Sequence, residues 1–125
     1  MSIQNVLKFI KDKEAEFVDL RFTDPRGKLQ HVTMDGKIVD DSMLNDGVFF
    51  DGSSIAGWKA INESDMILKP DLSRTVLDPF TSHNTLNIFC DILDAVKKDP
   101  YERDPRTTAK KAEAYLKKSG IGDKA

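Results

Sequence analysis

A carboxylate and two hydroxyls lie side by side in FFDGSSIAGW, residues 49–58, where Asp51 is followed by Gly-Ser-Ser. Asp, Gly and Ser all favour turns, so the spacing alone is typical of an ordinary loop after a strand. The alternative is a small site for a cation such as ammonium. A carboxylate stabilises such a cation and can accept a proton from it, and a neighbouring hydroxyl supports both roles. Both interpretations stay open at this point.

The other chemistry-bearing residues indicate structure rather than a site. Trp58, the only tryptophan, is a large amphipathic ring that could simply cover the core. His31 and His83 are far apart and have no further ligands at metal-binding spacing, so we expect no metal site made by this chain alone. Cys90 lies in the apolar run LNIFCDIL and is expected to be a buried strand residue rather than a catalytic thiol.

Composition limits the class of protein. The 125 residues are 39% hydrophobic and 32% charged with a net charge of -2, which is typical of one soluble domain with a modest core. No basic stripe predicts nucleic-acid binding, no apolar run is long enough to span a membrane, and no signal peptide is recognisable. A single cysteine fits a reducing compartment, so we expect a cytoplasmic protein.

Periodicity predicts an α+β fold. Apolar residues at helical spacing predict a helix near residues 3–10 that Ser2 caps. The segment FVDLRF alternates as a strand and should form an antiparallel hairpin with LQHVTM across the turn TDPRGK. Residues 35–47 are expected to connect with one helical turn, the proline-bearing stretch 65–80 to form short or edge strands, and TLNIFCDIL to be the strongest strand.

The composition changes near residue 97. The segment KKDPYERDPR is charged, contains prolines and is expected to bury little, which is typical of a linker. A helix should follow, with Asp104 as N-cap, Pro105 as its first residue and Gly120 at its end. Its apolar stripe has no obvious partner within the chain, and we expect the chain to continue beyond residue 125.

A longer motif extends the opening one. In FDGSSIAGWKAINESDMIL, residues 50–68, Asp-Gly-Ser-Ser is followed after a spacer by Glu63, Ser64 and Asp65. This run resembles the amino-terminal signature of bacterial type I glutamine synthetase. The segments FVDLRFTDPRGKLQHVT, LDPF, CDIL and YERDPRTTAKKAEAYL are also similar to that family, so the resemblance covers essentially the whole chain.

The resemblance implies a β-grasp amino-terminal domain, a mixed sheet with a packed helix, over residues 1–99. It implies a linker and the first helix of a truncated catalytic domain over residues 100–125. It further implies ATP-dependent ligation of ammonia to glutamate, with ATP and Mg²⁺ or Mn²⁺ in the full-length enzyme and no cofactor bound by this part alone. The expected partners are neighbouring subunits of a homo-oligomeric ring, a dodecamer at full length.

The resemblance also implies roles for individual residues. Asp51 would bind ammonium and deprotonate it, Ser54 would support the same site, and Trp58 would help form the wall of the neighbouring subunit's pocket. Asp65 would be a supporting acidic residue, or would only orient the loop. The chain alone is expected to be inactive. Two alternatives remain: a free-standing β-grasp interaction module, and part of a related glutamate–amine ligase.

Overall fold

A computed structural model describes residues 1–58 and 65–124. These residues form three α-helices and five strands. In order, they are α1 (Ile3–Asp12), β1 (Phe17–Thr23), β2 (Leu29–Asp35), α2 (Asp41–Asp46), β3 (Val48–Asp51), β4 (Asp65–Leu77), β5 (Thr85–Asp94) and α3 (Pro105–Ser119).

The five strands form one mixed sheet in the order β2-β1-β5-β4-β3. The β1–β2 hairpin is antiparallel, as predicted, and β4 is antiparallel to both of its neighbours. Only the central β1–β5 pair is parallel. The predicted α+β class, with a mixed sheet and a packed helix, is therefore confirmed.

The core lies between one face of this sheet and α1. The alternating residues of β1 and β5 are buried, as the pattern predicts, and Val6 and Ile10 of α1 pack against them. The buried apolar residues of the two strands are Val18, Leu20, Phe22, Leu86, Ile88, Cys90 and Ile92. Burial raises the pKa of the Cys90 thiol to about 12, so the prediction of a structural rather than a nucleophilic cysteine is confirmed.

The prediction of short or edge strands over residues 65–80 was wrong in length, because β4 runs unbroken for 13 residues. Residues 65–68 pair with β3 on one side, and residues 66–70 pair with β5 on the other. The pairing of β4 with β3 ends at Leu68. Pro70 is therefore paired with β5 but not with β3, and its missing N–H costs no hydrogen bond to β3. The register shifts between Pro70 and Thr75.

The predicted caps of α1 and α3 are confirmed. Ser2 caps α1, Asp104 caps α3 with Pro105 in its first turn, and Gly120 ends α3 in a left-handed conformation. Residues 97–100, 102 and 103 are exposed, as expected for a segment that buries little, but Asp104 is an exception at only 1% exposure. The stripe on α3 is uncovered, and Tyr115 is 71% exposed. No helix among residues 1–58 and 65–124 is long and apolar enough to cross a membrane.

Candidate functional site

The candidate site lies where β3 ends and β4 begins. Asp51 is the last residue of β3, Asp65 is the first of β4, and the two are directly opposite each other in the antiparallel register. Residues in such a pair have Cβ atoms about 4.5–5.5 Å apart, with their side chains on the same face. Both side chains are exposed. The fold thus brings two of the predicted acidic residues together at one open corner of the sheet.

The carboxylate of Asp51 is oriented by the residue two positions later. Its Oδ1 accepts a hydrogen bond from the Ser53 backbone N–H at 2.9 Å and another from the Ser53 hydroxyl at 2.6 Å. These bonds start a single 3-10 turn over Gly52–Ser54, which the Ile55 amide closes by donating to the Gly52 carbonyl at 3.1 Å. The Asp51 carboxylate therefore has a defined orientation at the candidate site.

Ser53 is a residue that the sequence analysis did not select. The signal was present, since an Asp followed two positions later by Ser is typical of a side chain that caps its own turn. Ser54, which was selected, is exposed at the end of the same turn. Ser53 thus contacts the Asp51 carboxylate, and Ser54 is the more exposed of the two serines.

Trp58 closes the loop from the inside. Its side chain is only 7% exposed, and its ring stacks on Phe22 at 5.8 Å between centroids and meets Phe50 and Tyr101 edge-on. Its indole N–H donates to the Arg103 carbonyl at 3.2 Å. These contacts are those of a ring that covers the core, one of the two roles that the sequence left open.

The β1–β2 turn lies behind the loop. Asp24 holds this turn by accepting hydrogen bonds from the Arg26 and Lys28 amides, each at 2.9 Å. Gly57, just before Trp58, has a φ of +91°, and a Cβ there would lie 3.5 Å from Pro25 Cγ. The loop therefore needs glycine for its backbone conformation rather than for space.

The two histidines lie outside the site. His31 Nδ1 is 2.8 Å from Asp19 Oδ1, and His83 Nδ1 is 3.0 Å from Glu16 Oε2. Burial raises the pKa of the Asp19 carboxyl, but hydrogen bonds from Arg21, His31 and Thr33 outweigh it and hold that pKa below its ordinary value.

No group of three or more His, Cys, Asp or Glu side chains that could hold a metal is found within residues 1–58 and 65–124. Two further predicted members of the acidic motif, Glu63 and Ser64, lie outside the described residues.

A five-stranded mixed sheet with a helix packed on one face, carrying an acidic corner at the β3–β4 end, defines a β-grasp domain with an exposed polar loop. Residues 14–95 match the family described as "Glutamine synthetase, beta-Grasp domain". The chain belongs to this family.

Similar sequences and structures support this family assignment. The chain is 68% identical over 118 residues to the glutamine synthetase of Rhizobium meliloti strain 1021, covering 94% of the chain and 25% of that protein. It is 58% identical over 120 residues to the glutamine synthetase of Azorhizobium caulinodans, covering 96% and 26%. A cryo-EM structure of Plasmodium falciparum glutamine synthetase superposes with a TM-score of 0.84 at 30% identity, over 96% of this chain and 23% of that one. The chain thus spans about a quarter of the length of these relatives.

Proposed function

We propose that this chain supplies the ammonium-binding loop of a glutamate–ammonia ligase and that it completes an active site on a neighbouring subunit. The supporting observation is the Asp51–Asp65 pair at the exposed end of β3 and β4, in a domain of the glutamine synthetase family. Two opposed carboxylates repel each other, so a cation between them is favoured. Ammonium is such a cation, and the reaction consumes its conjugate base.

In this proposal Asp51 performs the proton chemistry. The carboxylate accepts a hydrogen bond from ammonium and then takes that proton, which leaves neutral ammonia with a free electron pair to attack the activated glutamate carboxyl group. Ser54 adds a hydroxyl oxygen to the cation site, and Asp65 adds the second negative charge. Trp58 belongs to the pocket wall, chiefly by holding the loop that forms it.

The metal and nucleotide chemistry belongs elsewhere in the longer protein. Residues 1–58 and 65–124 hold no cluster of three or more possible metal ligands. We assign ATP, metal and glutamate to the part of the relatives' length that this chain does not span, and no step of the present proposal passes through them. On its own, the chain contributes one side of a site.

The same proposal includes a ring of subunits, a dodecamer at full length, in the cytoplasm. Large apolar side chains lie uncovered on the surface, among them Phe49 at 67% and Phe80 at 94% exposure. Exposed aromatic rings are suited to contacts with a neighbour. The free, buried Cys90 is compatible with a reducing compartment.

Two measurements test this function. The purified chain should show no glutamate- and ammonium-dependent ATP hydrolysis, and measurable turnover by the chain would refute its role as one side of a site. The second uses a chimera in which this chain replaces the corresponding part of the Rhizobium meliloti enzyme, to which it is 68% identical.

The chimera allows subunits with different defects to be mixed. One partner carries Asp51→Asn, and the other is inactivated outside this chain. If a site combines two neighbours, random co-assembly restores about a quarter of the sites. If each subunit builds its own site, none is restored. Recovery at low ammonium supports the proposal, and no recovery contradicts the neighbouring-subunit part of it.

A further inference from the structure

The candidate loop is joined to the segment that precedes α3 by two hydrogen bonds in opposite directions. The Trp58 indole donates to the Arg103 carbonyl at 3.2 Å, and the Arg103 guanidinium donates back to the Gly57 carbonyl at 3.2 Å. Tyr101 adds an edge-on ring contact to Trp58 at 5.7 Å. Residues 57–58 and 101–103 are more than 40 positions apart in the sequence, so these are tertiary contacts.

We propose that Trp58 and Arg103 are positioning residues for Asp51, which fix the far end of its loop to the start of α3. This inference rests on the proposed function and names the residues that set the geometry of the ammonium site. Neither residue is assigned contact with the cation. Both act through the backbone between Asp51 and Trp58.

The position of Trp58 affects the position of Asp51 because the loop between them is short and held by its own hydrogen bonds. Its near end is fixed by the pairing of Asp51 with Asp65. Between the ends, the Ile55 amide donates to the Gly52 carbonyl, and the Trp58 amide donates to the Ile55 carbonyl at 3.2 Å. Two successive tight turns therefore lead from the carboxylate to the indole, and a displacement of Trp58 reaches the turn that orients Asp51.

The other side of the connection is fixed to the sheet. The Asp104 carboxylate accepts the Ile92 amide of β5 at 3.1 Å and caps α3 through the Arg106 amide at 3.0 Å. The Tyr101 amide donates to the Ile92 carbonyl at 2.8 Å. Arg103 lies between these two anchors, so its position is set by β5.

A second layer of charge reinforces that anchor. The Arg106 guanidinium forms ion pairs with Asp71 of β4 and with Asp91 of β5, the latter at 2.9 Å. All three side chains are about three-quarters buried or more, which makes such pairs more rigid than exposed ones. The start of α3 is thus a fixed support for the loop.

The test combines spectroscopy on the chain with kinetics on the chimera. Trp58→Phe keeps an aromatic ring and removes the indole donor, and Arg103→Ala removes the bond to Gly57. Arg103→Lys is the conservative variant, and Glu102→Ala is the matched control, because Glu102 is an exposed charged residue directly beside Arg103. The amide of Ser53 is the spectroscopic reporter, since it donates directly to Asp51.

We expect Trp58→Phe and Arg103→Ala to shift the Ser53 amide resonance and speed its hydrogen exchange. In the chimera each should raise the KM for ammonium by about fivefold, the equivalent of one hydrogen bond, with the KM for glutamate unchanged. Arg103→Lys should recover part of the loss, and Glu102→Ala should match the parent.

Three outcomes are decisive. An unchanged Ser53 amide in Trp58→Phe overturns the inference. So does an equal rise in the KM values for ammonium and glutamate, which would indicate general loosening. If the amide shifts but Asp51→Asn leaves ammonium dependence unchanged, the proposed function fails while the positioning of Asp51 by Trp58 stands.

Discussion

Asp51 and Asp65 face each other directly across the β3–β4 ladder. The register places two exposed carboxylates on one face, at the point where the strands diverge. Ser53 holds one of the two in a defined direction through two hydrogen bonds. The arrangement places two like charges opposite each other, which favours a bound cation, and this is the physical basis of the proposed ammonium site.

Replacing the second carboxylate should stabilise the empty domain. Asp65→Asn removes a like charge directly opposite Asp51, so the free energy of unfolding of the chain should rise by about 0.2–1 kcal/mol at low ionic strength. The gain should shrink in high salt because exposed charges are screened. Urea unfolding at two salt concentrations measures both effects.

Asp99→Asn is the control for this experiment, since Asp99 is also exposed but belongs to neither β3 nor β4. It should leave the free energy of unfolding nearly unchanged. An Asp65→Asn variant that matches Asp99→Asn at low salt would show that the two carboxylates do not interact.

The roles of Ser53 and Ser54 can be distinguished by substituting each in turn. Ser53→Ala removes the 2.6 Å bond to Asp51, so it should speed hydrogen exchange in the turn over Gly52–Ser54 and raise the KM for ammonium in the chimera a fewfold. Ser54→Ala should leave exchange in the isolated chain unchanged and raise only the KM. If Ser54→Ala alters neither quantity, Ser54 has no role in the site.

Gly47 should tolerate substitution worse than Gly27. Both have positive φ, +86° and +83°, but a Cβ at Gly47 would lie 2.5 Å from the Leu68 carbonyl oxygen, whereas Gly27 has open space. Gly27→Ala should cost about 1–2 kcal/mol of unfolding free energy from backbone strain alone. Gly47→Ala should cost about 2–4 kcal/mol, because the backbone of β4 must also move. Equal losses by urea unfolding would contradict this account.

Acid should unfold the chain through carboxyls such as Asp19. Its pKa is lowered in the fold, so the stability it contributes is present above the ordinary Asp value of about 3.9 and is lost as pH falls through the lower folded value. Burial instead raises the pKa of Asp104, so Asp104 favours the folded state more as pH falls toward 4. The two groups therefore act with opposite signs.

The matched variants follow from those signs. Asp19→Asn should flatten the loss of unfolding free energy below about pH 4, and Asp104→Asn should steepen the net loss as the pH falls toward about 4. Urea midpoints across this range measure the slopes. The same change of slope in both variants would contradict the assignments.

The local elements could be predicted from the sequence because each is specified by neighbouring residues. The alternation of Val18, Leu20 and Phe22 determined one face of β1, and the Asp104–Pro105 pair determined where α3 begins. The strand length around Pro70 was predicted wrongly, because a proline is accommodated in β4 only where β3 no longer pairs with it. The sequence around Pro70 does not specify where the neighbouring strand ends.

The site could be predicted in part. The motif selected Asp51, Ser54, Trp58 and Asp65, but the facing of Asp51 and Asp65 depends on strand register, which no local pattern specifies. The link between Trp58 and Arg103 depends on how the chain returns after β5, and the charged composition near residue 100 gave no sign of it. Long-range pairings of this kind can be identified only once the fold is known.

The most direct measurement of the central claim is the ammonium dependence of the Asp51→Asn chimera. Asn keeps the shape and loses the charge and the proton acceptor. The KM for ammonium should therefore rise about 10- to 100-fold, the equivalent of one hydrogen bond to a charged group, and turnover should fall. The KM for glutamate should stay within about twofold, and Asp99→Asn should match the parent. An ammonium dependence equal to that of the parent would contradict the assignment of Asp51.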